Sequence, residues 1–392
     1  MNSIQPPAAS LWSHILPAEW EALAQTHGTP FYLYDADVVM RRIRAVQEAL
    51  QGQAQVYYAV KANPARPILD LLVAAGSKFD VASRNEVQMV LDAGADPSRI
   101  SFGNTIKKAR DIAWAFQQGV RLFAFDAEEE LAKLTEHAPG ATVFCRVLCD
   151  GSGADWPLSR KFGCEPEEAA RLVVLAADAG HPVGVSFHVG SQQRDLTAWD
   201  RALAEVAYVA DALHDSGHRL AVINVGGGFP GRYQEAMPPI AAYGQAISQA
   251  LADRMPTYVD APVLVIAEPG RYLVADAGVL QTEVVLVSRK SELDERRWVY
   301  LDCGKFGGLA ETMDEAIRYR MRTPHDGGID GPVTLAGPTC DSADVLYEKT
   351  DYRLPMALTS GDRVELLSCG AYTTTYAAVG FNGFAPLREH FV

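Results

Sequence analysis

A lysine ends an apolar, aromatic run: "VYYAVK" (56–61) reads as a buried strand until Lys61. Burial disfavours a bare cation, so this amine is expected to meet an anion or to react. Polar groups recur at the ends of similar runs. Asp80 lies in "KFDVA", with Glu86 shortly after, and Arg146 lies in "VFCRVL". His188 falls near the end of "GVSFHV", and Ser191 follows it. The run "AVINVG" leads into "GGGFPG" (226–231), and "VLVIAE" leads through Glu268 and Gly270 to Arg271. Such regular placement is hard to explain as packing.

Two of these features suit an anion. Glycines let backbone N–H groups approach closely, and Arg271 adds a forked pair of donors. Alone, "GGGFPG" reads equally well as a plain tight turn. Combined with Arg271 and an amine at Lys61, it points to a phosphorylated cofactor that reacts with lysine. Pyridoxal 5′-phosphate (PLP) meets both requirements.

The elements that must position these groups alternate in period. Eight short β-branched or aromatic runs lie at 56–61, 78–82, 100–104, 122–126, 143–148, 184–189, 221–226 and 263–268. Longer stretches of helical period separate them, several ending in glycine. Strands covered on both faces and joined by helices pair in parallel. Eight such units close into a (β/α)8 barrel, with an open doubly wound sheet as the alternative. After about residue 272 the pattern becomes strand-like, with few long helices, and predicts a mainly antiparallel β domain. "TPFYLYD" (29–35) reads as a strand outside the eight that joins this second sheet. The expected domains are therefore 36–272 for the barrel, and 1–35 with 273–392 for the β domain.

The chain has 392 residues, enough for two domains. A net charge of −14 disfavours nucleic acid and anionic lipid as partners. No apolar run is long enough to span a bilayer, and the N-terminal stretch lacks the pattern of a signal peptide. The six cysteines form no metal-binding pairs and no dense framework, so free thiols in a reducing cytoplasm are expected, with no metal.

The motifs "YYAVKANP", "FDVAS", "FGNTIK", "KFG", "GVSFHVGS", "GGGFP", "EPGRYLVA", "GPTCDSAD" and "GAYTTTY…FNGF" occur in this order from about residue 30 to the C-terminus. Together they resemble the ornithine/lysine decarboxylase group of fold-type III PLP enzymes, and most of all its short bacterial ornithine decarboxylases. The resemblance implies an alanine racemase-like PLP barrel with a β domain. It also implies a homodimer whose active sites are shared across the interface.

The resemblance further implies roles. Lys61 carries the cofactor. Glu268 pairs with its pyridine nitrogen and favours decarboxylation over racemisation. His188 stacks on its ring. Ser191, Gly228, Gly270, Arg271 and Tyr372 surround the phosphate, with Asp80, Glu86, Arg146 and Lys161 nearby. Cys340 and Asp341 reach into the partner subunit's site, Cys340 to protonate Cα and Asp341 to meet a distal ammonium. Asp314 and Glu315 fall in the specificity loop as a further carboxylate for that ammonium. The implied reaction is decarboxylation of L-ornithine to putrescine, or of L-lysine to cadaverine. The alternatives are another diamino acid, such as diaminopimelate or a specialised-metabolite precursor, and a non-catalytic binding protein of the antizyme-inhibitor kind.

Overall fold

The structure, a computed structural model, describes residues 17–157, 161–258 and 263–391. Most of the N-terminal stretch considered for a signal peptide, and residues 158–160 between Pro157 and Lys161, lie outside them. The chain divides into two compact units. One comprises Arg41–Gly231 and Ala236–Leu273. The other comprises the described residues up to Met40, Arg232–Glu235, and Val274 onward.

After β1 (Phe31–Tyr34) come the barrel strands β2 (Gln55–Ala59), β3 (Lys78–Val81), β4 (Ile100–Phe102), β5 (Leu122–Phe125) and β6 (Thr142–Arg146). Two short strands, β7 (Ala154–Trp156) and β9 (Ser191–Gln193), pair with each other on either side of β8 (Val183–Ser186) in the chain. The barrel is completed by β10 (Leu220–Asn224) and β11 (Leu264–Ala267). Its eight strands are all parallel and close into a ring in the order β2-β3-β4-β5-β6-β8-β10-β11. The seam pairs Gln55 with Ile266 and Val56 with Ala267. Apolar side chains on both faces hold the ring, as at Phe102 and Phe123, which are fully buried with ring centroids 6.1 Å apart.

Helices cover the outside. Their caps are written in the sequence at Ser83, whose Oγ accepts the N–H of Glu86, while Glu86 Oε2 accepts the N–H of Ala82. Glu86 thus reaches back one residue past the N-cap, a variant of the capping box, and this gives Glu86 a structural task. A longer helix, Ala198–Asp215, buries Trp199 against Phe229 and Tyr243, with centroid distances of 5.6 and 5.7 Å.

The second unit is a curled mixed sheet. Its strands are β12 (Gly278–Ser288), β13 (Arg297–Leu301), β14 (Met321–Arg322), β15 (Asp330–Ala336), β16 (Val345–Tyr347), β17 (Arg353–Pro355), β18 (Arg363–Leu367) and β19 (Arg388–Phe391). The long β12 pairs antiparallel with β13 and β18, while β13 and β15 run parallel. The early strand β1 pairs antiparallel with β12 and parallel with β19. Buried Tyr32, Leu280, Val299, Leu335, Tyr347 and Leu366 are among the core between its curved faces. Among the described residues no helix is long and apolar enough to cross a membrane, and no cluster of acidic, histidine or cysteine side chains is arranged to hold a metal.

Candidate active site

Three barrel strands, β2, β8 and β11, stop slightly before their chemical groups. Lys61 sits not on β2 but in a 3-10 turn, Val60–Ala62, immediately after it. The turn frees the side chain from the sheet and leaves it half-exposed, with Nζ 3.1 Å from Asp80 Oδ2. Asp80 is almost completely buried on β3, and its Oδ1 has no hydrogen-bond partner among the described residues. Burial makes an unsatisfied carboxylate oxygen costly; this one lies against Gly103, where a Cβ would collide with it. Lys61 thus meets an anion, although the turn has taken it out of the buried strand.

Glu268 follows β11. Its Oε1 accepts from Asn224 Nδ2 at 2.5 Å, and its N–H donates to the carbonyl of Gly226 at 2.8 Å. Burial and the Asp80 carboxylate lift its pKa to about 7, against pulls in the other direction from Lys61, Asn224 and Arg146. A carboxyl poised there can hold its proton or give it to a basic nitrogen. Asn224 itself is fully buried on β10 and uses both ends: Oδ1 accepts the N–H of Gly226 at 2.9 Å. One amide therefore ties the carboxylate to the start of the glycine loop.

That loop is held from behind. Gln192 brackets Gly231, donating to its carbonyl at 2.9 Å and accepting its N–H at 2.8 Å. The N–H of Gln193 donates to the carbonyl of Gly228 at 2.9 Å. Gly228 has φ +102°, and a Cβ there would come within 2.8 Å of the carbonyl of Gly190. At Gly227 a Cβ would lie 2.8 Å from the carbonyl of Glu268 and 3.1 Å from His188 Nε2. Only bare backbone fits at these two positions of the loop. Arg271 is buried beside it and donates from Nε to Ser191 Oγ at 3.1 Å. Gly270 lets this segment lie against the Lys61 turn: a Cβ would reach 3.0 Å from Ala62 Cβ.

His188 lies two residues beyond β8. Its Nδ1 accepts the N–H of Gly190 at 3.0 Å, so the neutral ring carries its proton on Nε2. Burial, with Arg146 and Lys61 adding positive charge, holds its pKa well below the usual histidine value. The ring is thus an uncharged flat surface. The barrel ends therefore gather Lys61, Asp80, His188, Ser191, Gly228, Glu268, Gly270 and Arg271 on one rim. Their chemistry suits a phosphorylated aldehyde with a basic ring nitrogen: an amine, a glycine-and-arginine cradle, a flat neutral ring and a carboxyl.

The remaining expected residues belong to the β unit. Cys340 and Asp341 are exposed on the loop after β15. Asp344 secures this loop from within. Its Oδ1 accepts the N–H of Lys305 at 2.7 Å, and its Oδ2 accepts the N–H and hydroxyl of Thr339 at 3.1 and 2.7 Å. Tyr372 takes a left-handed backbone conformation, φ +55°. Asp314 is exposed in an irregular turn, also at positive φ.

The expectation for Glu315 needs correction. Its carboxylate is buried and accepts the backbone N–H groups of Glu348, Lys349 and Thr350 at 2.7, 2.6 and 2.8 Å, and the Thr350 hydroxyl. Those bonds consume its lone pairs and keep its pKa low despite burial. It pins a turn and has no capacity left for a substrate ammonium. Asn224, Gln192, Gln193 and Asp344 are the site-shaping residues that the sequence reading missed.

Fold and rim together define a PLP-dependent enzyme of the alanine racemase-like barrel class. Residues 36–275 match the family model "Pyridoxal-dependent decarboxylase, pyridoxal binding domain". A lysine/ornithine decarboxylase of Selenomonas ruminantium is 36% identical over 368 residues, covering 93% of this chain and 90% of that protein. A structure of an SrLDC mutant in complex with PLP is 34% identical, with a TM-score of 0.85, covering 96% of this chain and 95% of that one. A Vibrio vulnificus lysine/ornithine decarboxylase complexed with cadaverine is 32% identical, with a TM-score of 0.83, covering 96% and 100%. The chain belongs to the ornithine/lysine group of PLP-dependent amino acid decarboxylases, and its cofactor is PLP.

Proposed function

We propose that the chain decarboxylates L-ornithine to putrescine, with L-lysine as a second substrate giving cadaverine. The observation that carries this reading is the pairing of an exposed carboxylate, Asp341, with an exposed thiol, Cys340, on one firmly held loop. The carboxylate suits a distal ammonium and the thiol suits proton delivery at Cα. The Vibrio relative, which has been crystallised with cadaverine and with putrescine, agrees with a tail-length preference set by small differences. One methylene is worth only about 1–3 kcal/mol.

PLP supplies a covalent anchor for the substrate amine and an electron sink for the pair released when CO2 leaves. The rest is the work of side chains. Lys61 would bind the cofactor's aldehyde, and its amine is steadied by Asp80. Glu268 would donate its proton to the ring nitrogen and remain as its counter-ion, with Asn224 fixing the carboxylate's direction. Neutral His188 would cover the ring without adding positive charge. Ser191, Arg271 and the backbone around Gly228 would hold the phosphate, with Tyr372 as a further contact. Cys340 would give its proton to Cα, and Asp341 would orient the substrate's far end.

In this reading two copies associate, each lending Cys340 and Asp341 to the other, and the six thiols remain free in a reducing compartment. CO2 release from ornithine, lysine, arginine and meso-diaminopimelate tests the substrate. Ornithine should lead, with lysine following. If diaminopimelate is preferred, the role given to Asp341 is wrong.

A further inference from the structure

The "FNGF" segment is used by none of the roles above, yet its asparagine touches the thiol. Asn382 Oδ1 accepts the N–H of Cys340 at 3.2 Å and lies 3.5 Å from its Sγ, within range of an S–H donor. We infer that Asn382 is a positioning residue that fixes the place and direction of the Cys340 thiol on its loop. The inference rests on the reading of Cys340 as the proton donor.

The local structure is built for this contact. Asn382 adopts a left-handed conformation, φ +52°, between Gly380 at +73° and Gly383 at +81°. Asparagine tolerates that region better than most residues. The tight turn points its short side chain back at residue 340. Phe381 packs on Phe306 with ring centroids 4.8 Å apart, and the N–H of Ala378 donates to the carbonyl of Phe306 at 3.0 Å. Phe306 adjoins Lys305, whose N–H is held by Asp344. The Cys340 loop is thus gripped on one side by Asp344 and on the other by Asn382, and both grips lead back to residues 305–306.

The chemistry follows from the amide oxygen. An acceptor beside sulfur gives the S–H group one direction to point. A thiol held in one place and one direction is what delivery to a carbon requires. A carboxylate at position 382 keeps an acceptor there, whereas a methyl group removes it.

The test uses the full-length PLP-loaded enzyme with Asn382→Ala, Asn382→Asp and Cys340→Ala. The readout is aldehyde product in place of amine, which forms when the proton misses Cα; the amino group then stays on the cofactor and water supplies the aldehyde oxygen. Its share should rise about threefold to tenfold in Asn382→Ala, the worth of one modest hydrogen bond, and rise further in Cys340→Ala. Asn382→Asp keeps an acceptor and should stay near the native share. A native share in Asn382→Ala, or an equal rise in Asn382→Asp, overturns the inference. Clean amine at the native rate from Cys340→Ala would instead remove the proton-donor reading on which it rests.

Discussion

Replacing Glu268 by glutamine should stabilise the cofactor-free protein while disabling the enzyme. The folded carboxyl titrates at about 7, against an ordinary value of 4.5. The folded state therefore holds this proton more tightly than the unfolded chain, and stability falls as pH rises between those values. At about 1.4 kcal/mol per pH unit the full penalty is about 3 kcal/mol, and partial contact with water at the rim trims it to about 2 kcal/mol. Glutamine has no proton to lose, and its amide oxygen can still accept from Asn224. At pH 8 the cofactor-free variant should melt about 4–8 °C above the native protein, given 2–4 °C per kcal/mol for domains of this size. At pH 5 most of the gain should vanish. With PLP bound the order should reverse, because the native carboxylate gains a cationic partner, and kcat of the variant should fall by about a hundredfold or more. Thermal unfolding of both proteins, with and without PLP, at the two pH values is the assay. An equal difference in melting temperature at pH 5 and pH 8 would refute the reasoning, as would a less stable variant at pH 8.

Further outcomes follow from the same geometry. Borohydride reduction of the loaded enzyme should fix the cofactor to Lys61 alone, and Lys61→Ala should lose that adduct with at least about a thousandfold of activity; an adduct on another lysine would contradict the assignment. Asn224→Ala leaves both Gly226 N–H and Glu268 short of a partner, and should weaken PLP binding by about tenfold to a hundredfold in a titration followed by absorbance. Glu315→Ala should cost about 2–4 kcal/mol in denaturant unfolding, since three backbone donors lose an anionic acceptor. It should leave the ranking of ornithine and lysine unchanged, and a switch in that ranking would return Glu315 to the substrate site.

The eight barrel strands were legible because each is buried on both faces and must be written in apolar, β-branched or aromatic residues. Their ends were less so. Lys61 and His188 looked like strand residues because apolar neighbours continue past the last ladder bond, although the backbone has already left the sheet at Ala59 and Ser186. Asn224 looked like an unremarkable polar interruption in "AVINVG", since nothing in its neighbours says that Glu268 will arrive beside it. Gln192, Gln193 and Asp344 act by hydrogen bonds to backbone of other loops, and such bonds leave no period in the sequence. Glu315 was misread because an acidic pair in a loop carries no sign of direction. Positive φ at both Asp314 and Glu315 sends one side chain outward and the other into a nest of N–H groups.

The seam of the ring joins the earliest and latest of its strands, β2 and β11. The amine after one and the carboxyl after the other become neighbours only once the last strand has docked. A polypeptide still emerging from the ribosome, or clipped before Leu264, would own the lysine without its counterpart. The groups read as holding the cofactor would then stand together only in a finished ring.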